Sequence, residues 1–151
     1  VKSLGADHVI DYKKAGGFAG LVKALKEASP KGIDVYFDNV GGDHLTAAIE
    51  VARPMARMAL CGMIAQYNET GTPVGPHNII MAVGKQLKLQ GFIVSTHADM
   101  QPAFFADMAK WIPSGKMKFE QTVMEGIDKA PEAFMGLFTG ANTGKMLVKL
   151  T

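Results

Sequence analysis

The residues best placed for chemistry are Tyr67, Asn39, Cys61 and the carboxylates Asp38 and Asp43. Tyr67 stands just past a predicted strand, in the Gly- and Pro-rich run "QYNETGTPVGPHN" (residues 66–78). A phenol there can hydrogen-bond a ribose or a carbonyl, or pass a proton; a loop tyrosine with no role has the same signature. Asn39 both donates and accepts, which suits an amide or a ribose hydroxyl, and it serves equally as a turn residue. Cys61, at a strand end, reads as a small buried residue rather than a nucleophile. Asp38 and Asp43 have the types of an acid–base pair, but turn and helix-cap duties explain them better. The four histidines, His8, His44, His77 and His97, are scattered, and none has metal-ligand spacing with a carboxylate, so no metal site is expected. There is no Ser-His-Asp arrangement and no nucleophile elbow, which leaves a hydrolase without support.

The elements that must hold these residues alternate. Val1 and Leu4 share a helical face and Gly5 sits where a C-cap glycine would, so the chain opens as the tail of a helix. "HVIDY" (residues 8–12) reads as a short strand, and Phe18, Leu21, Val22 and Leu25 make one face of a helix that "SPKG" stops. Residues 33–38 are apolar almost without interruption, as in a strand buried on both faces. Asp43 is expected to cap the next helix, in which Leu45, Ala48, Ile49 and Ala52 share a face and which Pro54 ends. Residues 56–62 form another strand, 79–83 a short helix and 87–94 a further strand. This alternation predicts an α/β fold with βαβ units, a parallel sheet and helices on its faces. From Gln101 the pattern changes: a helix marked by Phe104, Met108, Trp111 and Ile112, an extended segment over 118–126, a helix over 130–138 and a terminal strand over 144–150.

A dinucleotide fingerprint needs G-x-G-x-x-G directly after a first strand. No such spacing occurs, and Gly41-Gly42 in "DNVGGD" is better read as a tight turn than as a phosphate cradle. More informative is that Asn39, Cys61-Gly62 and Val94-Ser95 all follow strands. In an open parallel sheet, ligands bind outside those carboxyl ends.

The 151 residues suffice for one domain with a core, and a net charge of +2 without a basic run gives no footing for nucleic acid. A single cysteine excludes an intrachain disulfide and a cysteine-cluster zinc site, and suits a reducing cytoplasm. No apolar run approaches the roughly 20 residues of a membrane helix. The start at Val1 lacks signal-peptide order, and a piece of a longer chain, cut inside a domain, is expected.

The segments "GADHVIDYK", "PKGIDVYFDNVGG", "LCGMIAQYN", "GPHN", "GFIV" and "GANTGKMLVKL" span nearly the whole chain. In that order they resemble the zinc-independent medium-chain dehydrogenase/reductases, in the branch of prostaglandin reductases, leukotriene B4 12-hydroxydehydrogenase and curcumin reductase. The resemblance implies NADPH-dependent reduction of the carbon–carbon double bond of an α,β-unsaturated ketone or aldehyde, with NADP(H) as cofactor and no metal. It implies Tyr12 beside the adenosine 2′-phosphate and Asn39 on the cofactor. Cys61, Gly62, Met63, Ile64, Ala65, Gln66 and Tyr67 would wrap the cofactor, Phe92, Ile93 and Val94 would line the nicotinamide pocket, and Asn142 would reach in from the C-terminal loop. Tyr67 is the expected catalytic residue.

The departures imply as much. The family's first strand, glycine-rich phosphate turn, second strand and 2′-phosphate lysine are not in this chain. The expected fold is a partial Rossmann domain over residues 1–98, a doubly wound parallel sheet lacking its first two strands. Residues 99–151 would be a C-terminal α+β segment returning to an absent catalytic domain. By the family's 3-2-1-4-5-6 order, the unpaired strand edge invites another chain, and a homodimer, with domain swapping as one form, is expected. The isolated chain is expected to bind NADPH weakly and to be inactive. The alternatives are a quinone reductase of the same superfamily and a non-catalytic nucleotide-binding domain.

Overall fold

The structure is a computed structural model that describes residues 1–150. It divides into two compact units, the first Val1–Asp99 and the second from Met100 onward.

In the first unit a 3-10 turn, Lys2–Leu4, is closed by Gly5 in the left-handed conformation, as the opening spacing predicts. The segment read as a strand over 8–12 joins no sheet. Asp11 instead accepts a hydrogen bond from the Lys13 amide and starts helix α1 (Tyr12–Ala15). Local capping wins because no neighbouring strand among the described residues offers a ladder. Helix α2 (Gly17–Ala28) follows, then strand β1 (Ile33–Asp38), helix α3 (Gly42–Val51), strand β2 (Ala52–Leu60), helix α4 (Met81–Gly84) and strand β3 (Lys88–Gly91). The three strands form one parallel sheet in the order β1-β2-β3, the βαβ arrangement expected.

The N-cap of α3 is Gly41, with no side-chain capping bond, and Asp43 lies within the first turn. This corrects the cap assigned to Asp43: the chain enters the helix through Gly41 at φ 71° and Gly42 at φ 52°, which displaces the cap by two positions. The register slips between Ile33 and Val35, so that β2 bulges between Ala52 and Arg57. Pro54 stands in that bulge, where its missing N–H costs no ladder bond.

The core is built on α3. Leu45, Ala48, Ile49, Ala52, Ala56 and Met58 cluster there, and Tyr36, Leu60 and Met63 pack against them. Ala47, Ala48 and Ile49 have no exposed surface, because α3 lies between the sheet and α2. Lys85 reaches the C-terminal end of α3 and donates to the carbonyls of Ile49 and Glu50 at 2.9 and 2.7 Å. A cation there satisfies carbonyls that the helix leaves open and complements its dipole. On β1, Tyr36 and Asp38 turn toward the core, whereas Val35 and Phe37 on the other face are more than half exposed.

The second unit holds helix α5 (Gln101–Trp111), strand β4 (Gln121–Glu125), helix α6 (Ala130–Thr139) and strand β5 (Lys145–Lys149). Strands β4 and β5 pair in parallel, a crossover made by α6. Among the described residues no helix is long and apolar enough to cross a membrane.

Candidate functional site

The carboxyl ends of β1, β2 and β3 lie side by side, and each runs into a turn of small residues. Asp38, the last residue of β1, is 1% exposed. Its Oδ1 accepts hydrogen bonds from the amides of Val40 at 2.8 Å and Gly41 at 2.9 Å. This Asx-type turn throws Asn39 outward, where it is exposed. The reading of Asp38 as a turn former therefore holds. Its other oxygen, Oδ2, is buried and has no hydrogen-bond partner among the described residues. Burial, and then the negative charge of Asp38, push the Tyr36 phenol well above its usual pKa.

The end of β2 is stitched to the same turn. The amides of Cys61 and Gly62 donate to the Asp38 carbonyl, Ile64 to that of Asn39 and Ala65 to that of Val40. The segment then makes a single 3-10 turn, Ile64–Gln66, and delivers Tyr67. The Tyr67 ring folds back, and its oxygen accepts a hydrogen bond from the Met63 amide at 3.1 Å. A Cβ on Gly62 would stand 2.9 Å from that oxygen, so the glycine makes room for the phenol. A Cβ on Gly41 would come equally close to Met63. Both glycines are thus close-approach positions, and the Gly41-Gly42 pair is the tight turn expected of it.

Between these turns opens a cleft of about 700 Å³. Leu60, Cys61, Gly62, Met63, Gln66 and Tyr67 line one side, and Gly91, Phe92 and Ile93 the other, with Pro73 at the loop. A Cβ added to Gly91 meets no atom within 4 Å, so this wall is open to an occupant. Phe92 leans on Phe37 of β1 at 5.9 Å between ring centroids. Cys61 is exposed, which corrects its reading as a buried residue: it sits one step beyond the last ladder residue, Leu60, at the cleft rim. Gln66 donates to the Val74 carbonyl at 2.7 Å, and Asn78, 8% exposed, donates to the Thr46 carbonyl on α3 at 3.0 Å. These two bonds anchor the intervening loop at the cleft.

The sequence-derived residues divide into groups. Asn39 and the run from Cys61 to Tyr67 form one hydrogen-bonded frame, with Phe92 and Ile93 across the cleft. Val94 starts the next 3-10 turn, 75% exposed, and is not part of the cleft wall. Tyr12 stands apart on α1 with its ring edge-on to His44 at 5.0 Å. Asn142 belongs to the second unit, where it bonds the Gly144 carbonyl. Sequence reasoning missed Gly91, Pro73 and the anchoring residue Asn78. An isolated glycine inside the strand predicted over 87–94 was the available signal for Gly91.

A family model described as zinc-binding dehydrogenase matches residues 1–110. Prostaglandin reductase 1 of Rattus norvegicus is 39% identical over 151 residues, covering 99% of this chain and 45% of the rat protein. (+)-Pulegone reductase of Mentha piperita is 37% identical over 147 residues, covering 97% and 42%. Among solved structures, CurA from Vibrio vulnificus in complex with NADPH superposes with a TM-score of 0.83 at 37% identity, covering 97% of this chain and 44% of CurA. The chain thus spans less than half the length of these relatives. Among the described residues no group of three or more His, Cys, Asp or Glu side chains comes together, so the donors present do not fit the zinc of the family's description.

Proposed function

This chain belongs to the zinc-binding dehydrogenase family, and from that premise we propose that its full-length protein is an NADPH-dependent reductase of the carbon–carbon double bond of α,β-unsaturated ketones and aldehydes. The observation that carries the reading is the cleft at the ends of β2 and β3, where Tyr67, Gln66 and exposed backbone face an apolar wall of Phe92 and Ile93. A flat ring with a polar amide edge suits such a wall, and the volume falls in the usual range for ligand pockets. The printed names of the rat and mint relatives, both reductases, and the NADPH bound to CurA support the same reading.

NADPH would supply hydride to the β-carbon of the substrate. The chain's own residues would hold and orient. Asn39 and the frame from Cys61 to Tyr67 would bind along the cofactor, Phe92 and Ile93 would shape the nicotinamide pocket, and Tyr12 would lie by the 2′-phosphate. Tyr67 accepts from Met63, so its own O–H is left to donate, either to the nicotinamide ribose or to the enone oxygen. Donation to the enone oxygen would stabilise negative charge as it develops there. Residues 1–98 would form the nucleotide side of the enzyme, and residues 99–151 would return to the substrate side.

The test is NADPH oxidation by the full-length protein against a panel of enones, enals and quinones. Oxidation with the enones and enals, with the double bond of the product reduced, supports the reading. Turnover of quinones alone, or of none of these, overturns it. For the 151-residue chain alone we propose weak or absent NADPH binding, because it holds no G-x-G-x-x-G turn. Tight binding by calorimetry would contradict this. We further propose a homodimer that pairs along the edge strand β3; a monodisperse monomer in light scattering would refute that.

A further inference from the structure

Resting on the NADPH reading above, we propose that Asp38 is a positioning residue that locks the two cofactor-facing segments, the turn of Asn39 and the run from Cys61 to Tyr67, into one rigid frame. Asp38 engages backbone amides of both segments. Its Oδ1 takes those of Val40 and Gly41, and its carbonyl takes those of Cys61 at 2.8 Å and Gly62 at 3.1 Å. The carbonyls of Asn39 and Val40, oriented by that turn, then receive Ile64 and Ala65. Position is therefore passed from a single buried side chain to the base of Tyr67.

Without the carboxylate, the Val40 and Gly41 amides lose their acceptor in a buried place, and the turn must rearrange to find another. The Val40 carbonyl would turn with it and release Ala65. The device works through one oxygen, Oδ1, since among the described residues Oδ2 bonds nothing in the frame. Asn carries the same acceptor oxygen at the same distance from the backbone. An acceptor-bearing substitute should therefore preserve the frame, and a truncation should not.

The experiment uses Asp38→Ala and Asp38→Asn in the full-length protein, with NADPH titrated by nicotinamide fluorescence and followed in steady-state assays. Asp38→Ala is expected to raise the Kd and KM for NADPH about tenfold, the effect of losing roughly one buried hydrogen bond, with a much smaller change in the KM for the enone. Asp38→Asn is expected to stay within about twofold of wild type, which corresponds to less than ~0.5 kcal/mol. A residue that merely stabilised the fold would lower the melting temperature and leave the NADPH Kd of the folded protein unchanged. An unchanged Kd in Asp38→Ala overturns the proposal, and so does an Asp38→Asn variant as damaged as the alanine. Where Asp38→Ala does not fold, deuterium exchange on the wild type decides: NADPH slows exchange in residues 39–42 and 61–67 together, and slowing in only one of them overturns the proposal. A wild-type protein that binds no NADPH overturns the cofactor reading itself, a result separate from normal binding with a silent Asp38→Ala.

Discussion

The phenol of Tyr67 closes back on the amide of Met63, four residues earlier, at 3.1 Å. The closure holds the Tyr67 oxygen close over Gly62 and leaves its O–H free to donate. A hydroxyl held in this way is oriented before any ligand arrives, which is what an electrostatic or proton-donating role requires.

Tyr67→Phe in the full-length protein is therefore expected to lower kcat by about tenfold or more, since one charge-directed hydrogen bond is worth at least ~1.4 kcal/mol in a transition state. The NADPH Kd should move much less. Single-turnover kinetics and cofactor titration separate the two effects, and an unchanged kcat would sink the role given to Tyr67.

Gly62→Ala places a methyl group 2.9 Å from the Tyr67 oxygen. The phenol is the free end of a side chain and can swing aside, so the melting temperature should change little. The expected outcome is a fall in kcat close to that of Tyr67→Phe. Because the phenylalanine variant lacks the hydroxyl, Gly62→Ala should add almost nothing in that background. A fully additive double-mutant cycle would contradict the geometry.

Gly41→Ala should act on stability instead. Gly41 has φ 71° and ψ −152°, a region that residues with a Cβ avoid, and its Cβ would lie 2.9 Å from that of Met63. The backbone term alone is of order 1–3 kcal/mol. Chemical denaturation should show at least that loss, and a variant as stable as wild type would show that the turn has another conformation open to it.

Tyr36 gives a prediction in pH. Its folded pKa is raised above the ordinary 10.0 by burial and by Asp38. The stability this contributes is fully present below the unfolded value and is lost as pH rises through the window above about 10, because unfolding releases a proton that the fold retains. Alkaline unfolding should therefore steepen above that pH in the wild type and flatten in Tyr36→Phe. Phenolate absorbance should show Tyr36 ionising only together with unfolding; its ionisation in the folded chain would refute the burial argument.

What could be read from the sequence followed the range of the forces involved. The helix of Leu45, Ala48 and Ile49 was legible because apolar spacing reports burial directly, and these residues are in the core. Residues 33–38 were legible as a strand, but not as one buried on both faces, since Val35 and Phe37 are more than half exposed. The parallel sheet followed from their alternation. The segment over 8–12 was not, because a strand is made by its partner and the partner lies outside its own sequence. Asp43 was misread as a cap since the preceding glycine pair, with both φ values positive, starts the helix earlier than a capping rule assumes. Asp38 was legible as a turn former through its Asx spacing, but its carbonyl contacts with Cys61 and Gly62 join residues more than twenty positions apart, and no local pattern carries them. The convergence of three strand ends placed the cleft, whereas its opposite rim at Pro73 depends on how a loop of Gly and Pro is tied down.

That tie has an evolutionary meaning. The loop is held at Val74 by Gln66 and at Asn78 by α3, so the residues between Tyr67 and Pro73 are bounded on both sides by fixed points. Insertions or exchanges within 68–72 leave the anchors, the sheet and the phenol untouched, while they reshape what stands at the mouth of the cleft. Loop length changes cost little in closure entropy. A lineage could therefore retune what the cleft admits by small steps, each neutral for folding, without first having to rebuild the scaffold that supports it.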